Sequence, residues 1–284
     1  MKRPFLVAAL SLLIVPVVAP TVLQAQEPDA PRPIDALDTV WLEEMTWMEV
    51  RDAIQGGKTT ALVLTGGVES NGPYLAGGKH NYSNIVMGDA IARELGDALV
   101  APVVTIEPGR PGGDVRVGSM GPMVSQDTYI AWLTDIGNSL RSMGFTEVYY
   151  LGDSGGNQRG QQAAADALNA MHGGDPTVFH HVPEFYNHTQ VRQYIQEELE
   201  IPEQMEYTAS RGSDGIHDEL SITSILSVHD PEVIRHSQRR ASDLASINGI
   251  DISDIAWTQD LGRKVVALRT QITVDAIREL RSAR

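Results

Sequence analysis

Short apolar runs that close on glycine alternate along this chain with stretches whose apolar residues recur at helical spacing. The run Thr60-Ala61-Leu62-Val63-Leu64-Thr65 ends in Gly66-Gly67, as a buried strand feeding a loop does. Residues 82–95 then carry Ile85, Val86, Ala90, Ile91 and Leu95 ahead of Gly96, the pattern and stop signal of a helix. The unit recurs. A strand is predicted over 98–106, a helix over 125–143 with Ser125 placed to cap it, a strand over 147–151, a helix over 157–171 and a strand over 178–182. Strands alternating with helices imply right-handed βαβ crossovers. The expected fold class is therefore α/β, with a mainly parallel sheet flanked by helices on both faces and ligands bound outside the carboxyl ends of the strands. Further on, 190–199 reads as a polar, exposed helix, 222–226 opens a helical stretch that Pro231 ends, and 265–280 is an amphipathic closing helix.

A chain of 284 residues can bury a full core in one large α/β domain, so no disulfide or metal staple is needed for folding. There is no cysteine, which removes thiol nucleophiles, Cys-based zinc sites and iron–sulfur clusters. The 22 Lys and Arg against 37 Asp and Glu leave a net charge of -15, the wrong sign for nucleic acid or an anionic membrane surface. A small-molecule substrate is expected instead.

Lys2 and Arg3 precede an apolar run from Phe5 to Val22 that Pro16 and Pro20 interrupt, and Ala25 offers a small residue for cleavage. This is the layout of a signal peptide over residues 1–25. A membrane-spanning helix needs about 20 uninterrupted apolar residues. The mature protein is expected to be exported, periplasmic or secreted, and free of the membrane once cleaved. A Pro-rich extended leader over 26–40 then precedes a single domain over 41–284.

Three clusters fall in loops after or beyond the predicted strands. They are Glu69-Ser70-Asn71-Gly72-Pro73-Tyr74 joined by Lys79-His80-Asn81, then Gly152-Asp153-Ser154-Gly155-Gly156-Asn157, then Asp214-Gly215-Ile216-His217-Asp218-Glu219. Taken singly, each has an ordinary reading: a solvated loop acid at Glu69, a neighbour of a helix cap at His80, a turn at Gly155-Gly156, and first-turn helix acids at Asp218 and Glu219. Their joint occurrence in this architecture points to a site.

In order and spacing the clusters resemble the creatininase family, metal-dependent amidohydrolases that open cyclic amides or cleave related C–N bonds. Glu69-Ser70-Asn71-Gly72-Pro73-Tyr74-Leu75-Ala76, with His80 eleven residues after the Glu, stands where the family shows E-x-H-G-P-H-L-P and an Asp. Gly152 to Asn157 stands for N-G-H-G-G-N, and His217 to Ser224 for H-A-G-E-x-E-T-S. The resemblance implies a divalent metal held by Glu69, His80 and Asp153, a set offering two oxygens and one nitrogen to Zn²⁺, Mn²⁺ or Fe²⁺ with a position open for water. Asn71 replaces a family His, and His80 replaces a bridging carboxylate; a neutral imidazole cannot bridge two ions, so one metal, or none, is expected and not two. His217 aligns with the family His near substrate and, with Glu219, is the expected proton-transfer group. Asn71, Ser154, Gly155, Gly156 and Asn157 are expected around the substrate, the glycines through their backbone N–H groups. Asp114 and Arg116, in a Gly- and Pro-rich loop, are further candidates for substrate contact. The resemblance also implies a homo-oligomer, the family's habit being a hexamer.

Two rival readings accompany this one. Gly152-Asp153-Ser154-Gly155-Gly156 satisfies the G-x-S-x-G nucleophile elbow, with His217, His229 or His236 as partner for Ser154. The trypsin-like G-D-S-G-G reading fails on architecture, because that fold is all-β. The other rival is an exported, non-catalytic small-molecule-binding protein on the same scaffold.

Overall fold

Four parallel strands form the centre of the molecule in the order β2-β1-β5-β6. In the computed structural model, residues 27–113, 121–203 and 217–283 are described. The chain divides into two units, Met1–Ala36 and Leu37–Arg284. The strands and helices of the second unit, in chain order, are α1 (Trp47–Gln55), β1 (Thr60–Thr65), α2 (Lys79–Leu95), β2 (Ala98–Val100), β3 (Glu107–Pro108), β4 (Met123–Val124), α3 (Gln126–Met143), β5 (Glu147–Gly152), α4 (Gln158–Met171), β6 (Val178–His181), α5 (His188–Gln193), α6 (Leu220–His229), α7 (His236–Ala241), a short antiparallel pair β7 (Ser246–Ile247) and β8 (Ile250–Asp251), and α8 (Ile255–Ser282).

Every residue of β1 is buried, because helices cover both faces of the sheet. Alternate side chains divide between two cores. Leu62, Leu64, Tyr149 and Leu151 pack with Met87 and Ile91 of α2 and Val274 and Ile277 of α8. Ala61, Val63, Val148 and Tyr150 pack on the opposite face with Tyr129 and Leu133 of α3 and Ala164 and Leu168 of α4. The predicted parallel sheet between two helical layers is the observed one.

The element ends differ from expectation in instructive ways. The strand expected over 98–106 stops at Val100. Pro102 has no N–H to give a ladder, and the chain rejoins β1 only at a single bridge between Thr65 and Val104. Helix α2 starts at Lys79, three residues before the predicted 82, with Gly78 at its N-cap and no side chain capping it. Ser125 does cap α3, accepting the Thr128 N–H at 3.2 Å. The stretch expected as an exposed helix runs as α5 into a π-helical turn, Tyr194–Glu198, and buries Val191 and Ile195 beside Leu220 and Val265. Helix α8 is 28 residues long and begins at Ile255, where Asp254 accepts the N–H groups of Ala256 and Trp257. Among the described residues, no helix is long and apolar enough to cross a membrane.

Strand β1 has β2 on one side and β5 on the other, so the chain leaves it in opposite directions. Such a switch point opens a crevice at the carboxyl ends of the two diverging strands. Thr65 is in register with Gly152, so the loops carrying Glu69 and Asp153 emerge side by side.

Candidate active site

Asn157 ties these two loops together. Its Nδ2 donates to the Gly66 carbonyl at 3.1 Å, its Oδ1 accepts the Ser154 N–H at 3.0 Å, and the side chain is fully buried. The Glu69 loop is closed on itself by the Glu69 N–H to the Gly77 carbonyl at 3.0 Å and by Asn71 Nδ2 to the Ala76 carbonyl, also at 3.0 Å. The third wall is the first turn of α2, which brings Lys79 and His80 into the crevice, both buried. Cations at a helix N-terminus oppose the helix dipole, and this turn holds no acid of its own. Glu69 supplies the missing negative charge.

The result is a row of alternating charge. Lys79 Nζ lies 2.8 Å and His80 Nε2 3.0 Å from Glu69 Oε1. His80 Nδ1 lies 3.0 Å from Asp153 Oδ2, and Asp153 Oδ1 lies 2.6 Å from Arg269 Nη2 of α8. Arg269 also donates to the Phe185 carbonyl at 3.1 Å and to Ser83 Oγ at 3.3 Å. Burial alone would raise the Glu69 pKa, but the His80 hydrogen bond and the Lys79 charge outweigh it and lower the carboxyl to about 2. Burial likewise opposes a charged His80, and the hydrogen bonds to Asp153 and Glu69 overcome it, so its pKa is raised. The Asp153 carboxyl is held well below the usual range: burial works against this, and the Arg269 charge prevails.

Above the row lies a cavity of about 300 Å³ lined by Glu69, Lys79, His80, Ser154, Gly155 and Tyr186, and by His188, Arg192, His217, Glu219 and Ile222 on its other side. His217 Nδ1 is 3.1 Å from the Ser70 carbonyl. A carbonyl only accepts, so Nδ1 carries the proton and Nε2 keeps a free lone pair. Burial and the nearby Lys79 charge lower the His217 pKa, favouring the neutral base. The residue sits in left-handed backbone at φ 55, a strain typical of side chains that function requires in one place. Glu219 is held by Arg192 Nη2 at 3.3 Å. Its neighbour Asp218 is structural: fully buried, it pairs with Arg239 at 3.1 Å and accepts from Thr223.

Of the residues singled out from sequence, Glu69, His80, Ser154, Gly155, His217 and Glu219 line the cavity. Asp153 lies beneath it. Three expectations about substrate contact are corrected. Asn71 gives its Nδ2 to loop carbonyls, Asn157 spends its amide on the Gly66 carbonyl and the Ser154 N–H, neither lines the cavity, and Gly156 gives its N–H to Ser154 Oγ at 3.4 Å. Gly155 lines the cavity beside the Tyr186 hydroxyl. Asp114 and Arg116 lie outside the described residues. The elbow reading is not favoured: Ser154 Oγ donates to Glu107 Oε2 at 2.8 Å, His217 turns Nδ1 to the Ser70 carbonyl, His229 lies against Tyr82 and His236 against the Ile252 carbonyl. Burial raises the pKa of Glu107.

Lys79, Glu107, His188, Arg192 and Arg269 were not assigned roles from sequence. For Arg269 a signal existed, since it falls on the buried stripe of α8 between Val265 and Thr273, where a charge needs a buried partner.

The chain matches the creatininase (creatinine amidohydrolase) family over residues 43–270. It belongs to the creatininase family. Solved structures with the same fold include a manganese-form creatininase, at 18% identity and TM-score 0.61, covering 85% of this chain and 98% of that one. A zinc–zinc-type mutant creatininase matches at 17% identity and TM-score 0.60, covering 86% and 98%. A further creatinine amidohydrolase structure matches at 18% identity and TM-score 0.58, covering 86% and 97%. No protein of curated function matches by sequence. Creatininase membership fits the α/β fold and favours neither rival reading.

Manganese and zinc are the metals named for these neighbours, which makes a divalent ion the group to test against the residues of this creatininase-family chain. The expected trio is assembled, but as a row. Glu69 and Asp153 approach different nitrogens of the His80 ring, so no single ion about 2.0–2.2 Å from each ligand can touch all three. Among the described residues, no group of three His, Asp or Glu side chains is arranged to hold a metal ion. The donor set as it stands does not fit one.

Proposed function

We propose that this chain is a hydrolase cleaving a C–N bond of a small cyclic amide or related compound, the reaction class of its family. The observation that carries the reading is His217, whose Nδ1 is committed to the Ser70 carbonyl, leaving Nε2 as the neutral base of a cavity that Glu219 shares. In this scheme His217 Nε2 takes a proton from water as the water oxygen bonds to the amide carbon. The developing oxyanion faces the Lys79 ammonium, the kind of fixed charge that stabilises such an intermediate most. The C–N bond then breaks, and His217 returns the proton to the leaving nitrogen. Glu219, steadied by Arg192, accepts a substrate N–H and orients the ring. A volume of about 300 Å³ suits a small ring.

The test is turnover of a panel of creatinine, lactams, cyclic ureas and hydantoins by the purified mature protein, with His217→Asn alongside. Hydrolysis by the wild type, lower by about 10²–10⁴-fold in the variant, supports the reading. Absence of turnover across the panel overturns it.

Export and self-association belong to the same proposal. The N-terminal segment supports cleavage near Ala25, checked by N-terminal sequencing of protein from the exported fraction. Family membership supports a homo-oligomer, checked by light scattering.

A further inference from the structure

The two carboxylates that the family resemblance assigns to a metal are each already neutralised by a cation from the chain itself. Glu69 Oε1 has Lys79 Nζ at 2.8 Å, closer than His80 Nε2 at 3.0 Å and His217 Nδ1 at 3.5 Å. That oxygen is surrounded by nitrogens. Asp153 uses one oxygen on Arg269 at 2.6 Å and the other on His80 at 3.0 Å. The imidazole between them has a carboxylate at each nitrogen, so neither nitrogen offers a lone pair to an ion. The charge count agrees: Lys79 and Arg269 balance Glu69 and Asp153 before the His80 ring is counted at all, so a dication added here would meet no uncompensated negative charge.

Lys79 is placed at some cost. It is only 5% exposed, it stands in the first turn of α2 where the helix dipole disfavours a cation, and its stem crosses the crevice so that Nζ also lies 3.5 Å from the His217 carbonyl. A lysine serving only as a surface charge would turn outward to water. We propose that this creatininase-family protein has exchanged the divalent ion for its own cations, Lys79 acting at Glu69 and Arg269 at Asp153, and that its site is complete without bound metal. This rests on the hydrolase reading only for what the cavity does, because ion pairing and metal content are measured independently of turnover.

The experiment is elemental analysis of full-length mature protein produced with added zinc and manganese, followed by calorimetric titration with Zn²⁺ and with Mn²⁺. The wild type is expected to retain under about 0.1 ion per chain and to show no saturable binding in the micromolar range. Lys79→Met removes the ammonium while keeping a stem of similar length, and it should raise Zn²⁺ affinity at least about tenfold over the wild type; Lys79→Arg, which keeps the charge, should not. About one tightly held ion per wild-type chain, lost in Glu69→Gln, overturns the proposal, whether or not Lys79→Met folds. Equal metal affinity of Lys79→Met and wild type overturns the role given to Lys79. Turnover abolished by a chelator and restored by zinc overturns the proposal while leaving the hydrolase reading intact. Metal-free protein that cleaves no amide has the opposite meaning: it fails the hydrolase reading alone.

Discussion

Arg269 Nη2 lies 2.6 Å from Asp153 Oδ1 with both side chains sealed from solvent, joining the last helix to the loop after β5. Removing one partner of such a pair leaves a buried charge unanswered, which costs about 3–5 kcal/mol. Arg269→Met is therefore expected to lower unfolding free energy by that order in urea melts. Asp153→Asn in the same chain should recover a large part of the loss. A double variant no more stable than Arg269→Met alone would mean that the guanidinium acts through Phe185 and Ser83 and not through Asp153.

His217→Asn should reduce kcat/KM on whichever amide is turned over by about 10²–10⁴-fold. Asn tolerates left-handed backbone, so the φ of 55 at this position is not a reason for the variant to unfold. A melting temperature near the wild type with lost activity is the expected pair of results. Activity retained at wild-type level would remove His217 from the chemistry.

His188 provides a pH-dependent stability term. Burial, reinforced by the Arg269 and His80 charges and resisted by Asp153, lowers its pKa to about 4. The unfolded chain takes up this proton near pH 6.5 and the folded chain only near 4, so stability falls as pH drops through that window, by on the order of 3 kcal/mol at most. Chemical denaturation of His188→Gln should show a shallower loss between these limits. Parallel wild-type and variant curves would contradict the assignment.

Asn157→Ala breaks the tie between the loops after β1 and β5. It leaves the Gly66 carbonyl and the Ser154 N–H without that partner, at about 1–3 kcal/mol for each buried group so stranded. Asn157→Asp keeps the acceptor for Ser154 but turns a buried carboxylate oxygen onto the Gly66 carbonyl, so urea melts should find it no more stable than Asn157→Ala.

Much of this architecture is legible because burial on both faces writes strands as unbroken apolar runs, as in Leu62-Val63-Leu64 and Val148-Tyr149-Tyr150-Leu151. Ser125 marks the start of α3 for the same local reason, an oxygen placed to accept an orphan N–H. The start of α2 is illegible because Gly78 contributes no cap, and that concealed the turn carrying Lys79 and His80. Glu69, His80 and Asp153 are brought together as a group by the family resemblance. Their order along a row is not legible, because it depends on Arg269, 116 residues beyond Asp153. A charge within the apolar stripe of α8 announces a buried partner without saying which.

That separation bears on how the molecule is made. A ribosome translating this chain completes the strands, the glycine-rich loop and every motif that marks the family well before Arg269 leaves the exit tunnel. Until then Asp153 lacks the guanidinium that neutralises it. A truncated product lacking α8 would thus keep the signature residues and lack the counter-charge beneath the cavity. For this chain, the last helix decides when a nascent polypeptide becomes a site.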